Sequence, residues 1–398
     1  MELSITSVVA GGAGLAREPS GRVVFVDGAL PGERVDAELV EERRDYARAR
    51  LERVVVEAPG RIALSCAAAR SGCGGCPWLH VSPDSQRALK RDIVVDALQR
   101  LAHVPDPPVE ARVGAVSPHA YRSTVRMAVD SSGRLAYHAS QSEQLIAPDA
   151  CQVVHPRLEA VIRQGRFGGA ATVTLRLSVA SGRILAIVAG GVGVGGIDVP
   201  DGVEVTAPHL WARRGPPAFS ETAAGRSWRV SAPSFFQSGP EAADLLARSV
   251  DQLAGELRPG ARLLDAYAGV GVLGGVVASR TGARLTAVER ERVAAADARA
   301  NLAGLRAKVV VADVAAARLP PAAMVLADPA RPGLGRAAAG ALAATGAATL
   351  VLVSCDPASL ARDARLLAGL GLRLSTVQVL DLFPGTVHVE TVSRFDRT

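Results

Sequence analysis

Lysine is nearly missing from this chain: Lys90 and Lys308 stand alone, and the rest of its 45 basic residues are arginine. Alongside 40 glycines and abundant alanine, that bias reflects base composition rather than a lysine-rich tail. The net charge of +6 over 398 residues is compatible with a polyanionic partner but too small to demand one. Long apolar runs are lacking too. The longest uncharged stretch, Ala337 to Cys355, mixes Ala, Gly and Thr before "LVLVS", so it reads as a helix and then a strand, and no membrane span is expected. The opening "MELSITSVVAGG" has neither the positive start nor the apolar core of a signal peptide and alternates like a strand. No repeat of fixed period occurs. Cysteine is scarce and odd in number, five in all, with Cys66, Cys73, Cys76 and Cys151 in the first half and Cys355 alone near the end. Without an export signal, such a set points to a reducing cytoplasm, where clustered thiols bind metal or do redox work instead of pairing as disulfides.

What is present divides into three regions. Residues 1–58 hold short β-rich or alternating segments, "ELSITSVV", "GRVVFV", "ERVDAELV" and "YARARLERVVV", broken by "GGAG", "EPSG" and "GALPGE". That pattern predicts a small β-barrel of the kind used on nucleic acid. Eight Arg against eleven Asp or Glu within its first 60 residues exclude a basic clamp, so contact with RNA would rest on a few arginines and Tyr46. Residues 59–230 carry the four early cysteines, a helical stretch "SPDSQRALKRDIVVDALQRL" with Ser82 as its cap, and strands such as "YRSTVRMAV", "TVTLRLSV" and "RILAIVAG", an α+β region. From 231 to 398 apolar runs alternate with Ala-rich helical segments: "ARLLD", "RLTAVE", "KVVVAD", "AMVLAD", "TLVLVSC". This is the grammar of an α/β, Rossmann-like, doubly wound parallel sheet.

In such a sheet the ligand lies beyond the carboxyl ends of the strands, and here those ends carry Asp265, Glu289, Asp313, Asp328 and Cys355. One Asp alone would be a turn or cap residue; four successive acidic strand ends form an edge. "DAYAGVGVLGG" contains Gly269-x-Gly271-x-x-Gly274 with Glu289 twenty residues after the first glycine, which also satisfies a dinucleotide fingerprint and makes an NAD-dependent oxidoreductase the rival enzyme class. Asp265 and Tyr267 speak against it, since a carboxylate beside the phosphate turn repels pyrophosphate. A carboxylate there suits S-adenosylmethionine, which carries an amino group and a sulfonium, and Glu289 can accept both ribose hydroxyls of either ligand.

Beside a methyl donor the solitary Cys355 acquires a use. C5 of a pyrimidine is too weak a nucleophile to take a methyl group until a thiolate adds at C6; a base must then strip the C5 proton before the thiol can leave. Cys355 precedes "DPASLARD", where Asp356 can cap and Pro357 suits the first helical position, and this setting is expected to lower the thiol pKa. Glu390 in "TVHVETVSR", on a late alternating strand, is the candidate base.

"FFQ" (235–237), "LLDAYAGVGVLG", "AVE", "ADPAR", "VSCDPASLARD" and "HVETV" together resemble, in order and spacing, the RNA uracil-5-methyltransferase family. The resemblance covers the last 170 residues, and "ALPGERV" in the first region resembles the TRAM barrel found in many members. It implies a class I methyltransferase fold for 231–398, Cys355 as nucleophile, Glu390 as proton-abstracting base, and Gln237, Tyr267, Glu289, Asp328 and, on the adenine side, Asp313 around S-adenosylmethionine. The chain departs from the family at Val272 (commonly Asn), Ala330 (Pro), Gly239 (Asn) and Gly385 (His), which bears on donor affinity and fine positioning.

Cys66-x6-Cys73-x2-Cys76, completed by Cys151 after 74 residues, supplies four thiolates, which by count fit zinc as well as an iron–sulfur cluster. The spacing is not the C-x3-C-x2-C of radical chemistry. The resemblance implies a 4Fe-4S cluster that pins the fold and shapes an RNA face. Members devoted to transfer RNA generally lack both barrel and cluster, so the implied substrate is 23S rRNA, modified by a cytoplasmic monomer. The alternatives are a tRNA uracil-5-methyltransferase and, outside the enzymes, an RNA-binding assembly factor on a decayed methyltransferase fold, which retention of both Cys355 and Glu390 opposes.

Overall fold

Strand alternation builds the first unit. In the computed structural model, which describes residues 1–191 and 196–398, six strands between Glu2 and Val56 turn Leu3, Val24, Val26, Val35 and Ala47 into a core of their own. The two edges of this sheet, Glu2–Ser4 and Ser7–Val8, are successive halves of one bent strand. The first half pairs with Arg34–Glu42 and the second with Gly14–Arg17, so the sheet closes on itself as a barrel. Outside, arginines meet carboxylates across the strands, as in Arg50–Glu38 and Arg53–Asp36; exposed pairs of this kind contribute at most about 1 kcal/mol each.

A second six-stranded sheet, in the order Leu145–Ile146, Leu135–His138, Thr124–Val129, Ala170–Leu177, Ile184–Gly191, Val203–Thr206, forms the middle of the molecule. A hairpin, Ala218–Ala223 with Arg226–Ser231, follows it.

The third unit is an eight-stranded sheet: β1 (Val109–Ala115), β2 (Arg262–Ala266), β3 (Arg284–Glu289), β4 (Ala307–Val311), β5 (Met324–Ala327), β6 (Thr349–Ser354), β7 (Leu372–Asp381) and β8 (Glu390–Arg397). Their spatial order is β4-β3-β2-β5-β6-β8-β7-β1. β2 to β6 are mutually parallel, and β8 slots between β6 and β7 antiparallel to both. Helices α1 (Pro83–Leu101), α2 (Pro240–Ala254), α3 (Val272–Thr281), α4 (Arg292–Asn301), α5 (Gly335–Ala343) and α6 (Pro357–Ala368) cover it. α1, α5 and α6 bury Leu98, Leu342 and Leu360 on one face; α2, α3 and α4 bury Leu246, Val277 and Ala298 on the other. This is the class I methyltransferase arrangement of an α/β sheet wound on both sides.

The sequence division at 230 is crossed by the fold. α1 and β1 belong by position to the middle region, yet β1 pairs in parallel with β7 at the sheet edge and α1 packs on α6. "VEARVGA" is too short and polar to announce a strand, and its partner lies more than 250 residues away. Ser82 caps α1 as expected, accepting the N–H of Ser85 with Pro83 in the first turn. Among the described residues no helix is long and apolar enough to cross a membrane.

Candidate active site

Parallel strands end on one edge, so whatever follows β2 to β6 shares a rim. Tyr267 follows β2, Glu289 ends β3, Asp313 lies just past β4, and Asp328 and Cys355 come directly after β5 and β6. β8 runs the opposite way and therefore begins at this same edge, with Glu390 as its first residue. A cavity of about 810 Å³ opens here, and Gln237, Tyr267, Glu289, Asp313, Asp328, Cys355 and Glu390 all line it.

The last paired residues of β6 and β8 are Ser354 and Thr391, and the Thr391 hydroxyl donates to the Ser354 carbonyl at 3.1 Å. Cys355 follows Ser354 and Glu390 precedes Thr391, so both stand at the rim end of this ladder, where the Glu390 carboxylate acts on the thiol. Glu390 is only 5% exposed, and burial, helped by the charge of Asp328, holds its carboxyl well above the usual range. Its neighbours Val389 and Thr391 are equally buried, because β8 is an interior strand covered on both faces. Burial also pushes Asp328 up to about 7.

The expectation of a lowered thiol pKa is overturned. Asp356 does cap α6, accepting the Ser359 N–H at 2.8 Å, and Pro357 occupies its first turn. Burial, however, pushes the Cys355 thiol up to about 11, and Glu390 and Asp328 add to the rise. Burial, with two carboxylates at the same edge, outweighs the helix amides, so the resting group is the neutral thiol.

The glycine turn discriminates between ligand classes. Tyr267 sits at φ 71°, a strained position for an aromatic residue, and Gly269 and Gly271 carry the chain into α3. The Gly269 N–H donates to Glu289 at 2.9 Å and the Gly274 N–H donates to Asp265 at 2.8 Å. Two carboxylates therefore sit against the turn beside which a dinucleotide would place its phosphates, and their charge opposes the oxidoreductase reading. Asp265 itself is 1% exposed beneath the loop, where burial pushes it up to about 7 and one oxygen has no partner. It props the turn from below and does not line the cavity. A desolvated ring of carboxylates facing a closed glycine turn fits a cationic, phosphate-free ligand such as S-adenosylmethionine, with Glu289 anchored by the Gly269 and Glu291 amides and still able to accept a diol.

Sequence reasoning missed several lining residues. Phe235 stands at the cavity with 71% of its surface exposed. Arg122 also lines it, packed against the rings of Tyr121 at 5.6 Å and Phe383 at 5.9 Å. In the sequence Arg122 is one residue of an ordinary strand pattern. His388, close to the charges of Arg122, Arg331 and Lys90, is held neutral by burial and those cations.

The segment from Asp381 to Glu390, which supplies Phe383, His388 and Glu390, is gripped by distant parts of the chain. Lys90 donates to the Asp381 carboxylate at 2.5 Å and to the Phe383 carbonyl at 3.2 Å, both ends of that ion pair being fully buried. Tyr121 donates to the Pro384 carbonyl at 3.0 Å, Gln86 accepts the Gly385 N–H at 2.7 Å, and the Trp78 backbone N–H donates to the Gly385 carbonyl at 2.9 Å. Two departures from the family gain a reason. Gly385 has φ 78° with Leu79 only 3.0 Å from where a Cβ would sit, and a Cβ on Gly239 would lie 2.0 Å from the Tyr121 carbonyl oxygen. Neither position accepts a side chain in this backbone. Val272 and Ala330 line the cavity directly.

The four early cysteines are half-buried and lie close enough for Cys76 to feel the charges of the other three. Burial pushes the Cys76 thiol up to about 12, with the charges of Cys151, Cys73 and Cys66 adding to the rise and Arg122 opposing it. Burial raises Cys73 and Cys151 as well. Among the described residues no three His, Cys, Asp or Glu side chains form a group set to hold one ion. The four thiols feel one another's charge, yet in this arrangement they are not gathered around one ion.

Comparison with known proteins adds the following. The TRAM domain family matches residues 1–51. A Streptomyces coelicolor protein described as an uncharacterized RNA methyltransferase is 33% identical over 98% of this chain and 92% of its own length. The 23S rRNA (uracil(1939)-C(5))-methyltransferase RlmD of Halomonas elongata is 31% identical over 98% of this chain and 88% of its own. Among solved structures, the Pyrococcus abyssi tRNA (uracil-54, C5)-methyltransferase in complex with S-adenosyl-L-homocysteine has a TM-score of 0.76 to this fold, covering 99% of this chain and 100% of that one at 22% identity, a likeness of fold.

Proposed function

The chain belongs to the RNA uracil-5-methyltransferase family, and we propose that it methylates C5 of a uridine in 23S rRNA using S-adenosylmethionine. The observation that carries this reading is that Cys355 and Glu390, flanking the last rung of the β6–β8 ladder, line one cavity. The Cys355 thiol loses its proton to solvent water, and the thiolate sulfur bonds to C6 of the uracil, moving the C5–C6 π electrons toward C5 and the O4 carbonyl. C5 takes the methyl group, and the sulfonium sulfur keeps the bonding pair. Glu390 accepts the proton left on C5; the electrons of that bond restore the C5–C6 double bond and expel the Cys355 thiolate. Burial, helped by the charge of Asp328, raises the Glu390 carboxyl, and a raised pKa makes its carboxylate the stronger proton acceptor. Gln237, Tyr267, Glu289, Asp313 and Asp328 surround the donor.

Cys66, Cys73, Cys76 and Cys151 hold a 4Fe-4S cluster in this reading. By count the four thiolates would equally suit one zinc; family resemblance favours the cluster. Its contribution when bound is a covalent cross-link between the Cys66–Cys76 loop and the central domain. Ribosomal RNA is favoured over transfer RNA by the name of the Halomonas relative; the N-terminal barrel does not separate the two, because the Pyrococcus tRNA enzyme shares this fold over 99% of the chain.

The test is methyl transfer from labelled donor to protein-free 23S rRNA and to unmodified tRNA at equal ionic strength, since salt alone distorts such comparisons. Label in rRNA, and a gel-stable adduct with RNA bearing 5-fluorouridine that Cys355→Ala abolishes, are expected. Label in tRNA alone would overturn the substrate, and full activity in Cys355→Ala would overturn covalent catalysis.

A further inference from the structure

A second cavity, of about 310 Å³, lies beside the hairpin and the start of α4, and its wall carries Arg214, Arg229, Ser231, Arg292 and Asp297. Asp297 is buried and accounts for one of the three arginines: Arg229 meets it at 3.1 Å, and the Ser231 and Ser234 hydroxyls donate to it. Among the described residues Arg214 and Arg292 form no ion pair. α4, ten residues long, begins at this cavity, and its N-cap residue, Glu291, makes no side-chain cap to the first-turn amides. The surplus of positive charge, the uncapped helix start and the concave shape are together the chemistry of an anion site.

Its place relative to the active site is fixed by the chain. Ser231 lines this cavity and Phe235 and Gln237 line the first, so the two are joined by a segment that spans at most about 22 Å when fully extended. Asp297 anchors that segment at Ser231 and Ser234. A strand whose target base enters the first cavity past Phe235 can lay its backbone a few nucleotides away across Arg214 and Arg292.

We propose that Arg214, Arg229 and Arg292 form a binding site for the phosphodiester backbone of the substrate RNA beside the target nucleotide. The inference rests on the function proposed above. Arg229 is tied to the buried Asp297, so the test uses the two exposed arginines: R214A/R292A, the charge-preserving R214K/R292K, and R365A/R373A on the opposite layer as a control for generic loss of charge. Binding of 23S rRNA fragments is measured from 50 to 200 mM salt, with donor binding followed in parallel.

For R214A/R292A we expect affinity to fall about tenfold or more and the slope of log K against log salt to shrink by roughly 0.7 for each phosphate left unneutralised. R214K/R292K should recover most of the slope, and R365A/R373A and donor binding should match the unaltered protein. Equal affinity and slope for R214A/R292A and R365A/R373A would overturn the site while leaving the methyltransferase reading intact. An unaltered protein that binds no RNA would overturn both, and loss of donor binding in R214A/R292A would overturn the site as one for RNA alone.

Discussion

The raised pKa of Cys355 can be measured directly and decides whether the thiol is activated before or only during the reaction. At about 11 it leaves roughly one thiolate in a thousand at pH 8, whereas an ordinary cysteine near 8.5 has about one in four ionised. Alkylation by iodoacetamide, followed on the Cys355 peptide by mass spectrometry, should therefore run roughly two orders of magnitude below a free thiol at pH 8 and climb until pH approaches 11. Burial is the larger cause, and the Glu390 carboxylate follows it. Glu390→Gln deletes that second cause and leaves the packing, so the apparent pKa should fall and alkylation at a fixed pH should speed up. The same substitution abolishes release of product, so thiol reactivity and turnover move in opposite directions. An apparent pKa of 8 to 9 in the unaltered protein, or an unchanged rate in Glu390→Gln, would refute the reasoning.

Glu390→Gln should also accumulate a covalent complex in which the base is already methylated, seen by mass spectrometry; normal turnover without it would make Glu390 a bystander. Asp328 is raised from 3.8 to about 7, so the folded protein binds more protons than the unfolded chain between those values, and this group's contribution to stability declines as pH rises through that window. Urea unfolding at pH 5 and 7.5 should accordingly show Asp328→Asn gaining stability over the unaltered protein at the higher pH. Lys90→Met leaves Asp381 buried without its cation and should cost roughly 3–5 kcal/mol, much of it recovered in Lys90→Met/Asp381→Leu. Protein purified without oxygen should be brown and carry iron, and Cys76→Ser should lose both; a colourless protein with one zinc would replace the cluster.

The sheet and its rim were legible because their signals are local. Each apolar run ends in the residue that faces the cavity, and the same short words, "LLDAYAG", "AVE", "ADPAR" and "VSCDP", carry both strand and site. Electrostatics were not legible. The amides ahead of α6 are visible in "CDPAS", while the burial and the carboxylates that overrule them come from β5 and β8. Long-range grips were invisible for the same reason: Gln86 and Gly385 are 299 residues apart, and nothing in either neighbourhood names the other. Arg122 and β1 looked like parts of a separate region because their partners lie at the far end of the chain.

The grip on residues 381–390 also sets an order in time. A ribosome adds roughly 5–20 residues per second, so Trp78, Gln86 and Lys90 are made roughly 15–60 s before the segment they hold. Until then the Lys90 ammonium has no counterion and stays in water, which keeps α1 from docking on the sheet. Cys355 likewise emerges while β8 is still unmade, so the cavity it shares with Glu390 is complete only once the last strand lies between β6 and β7.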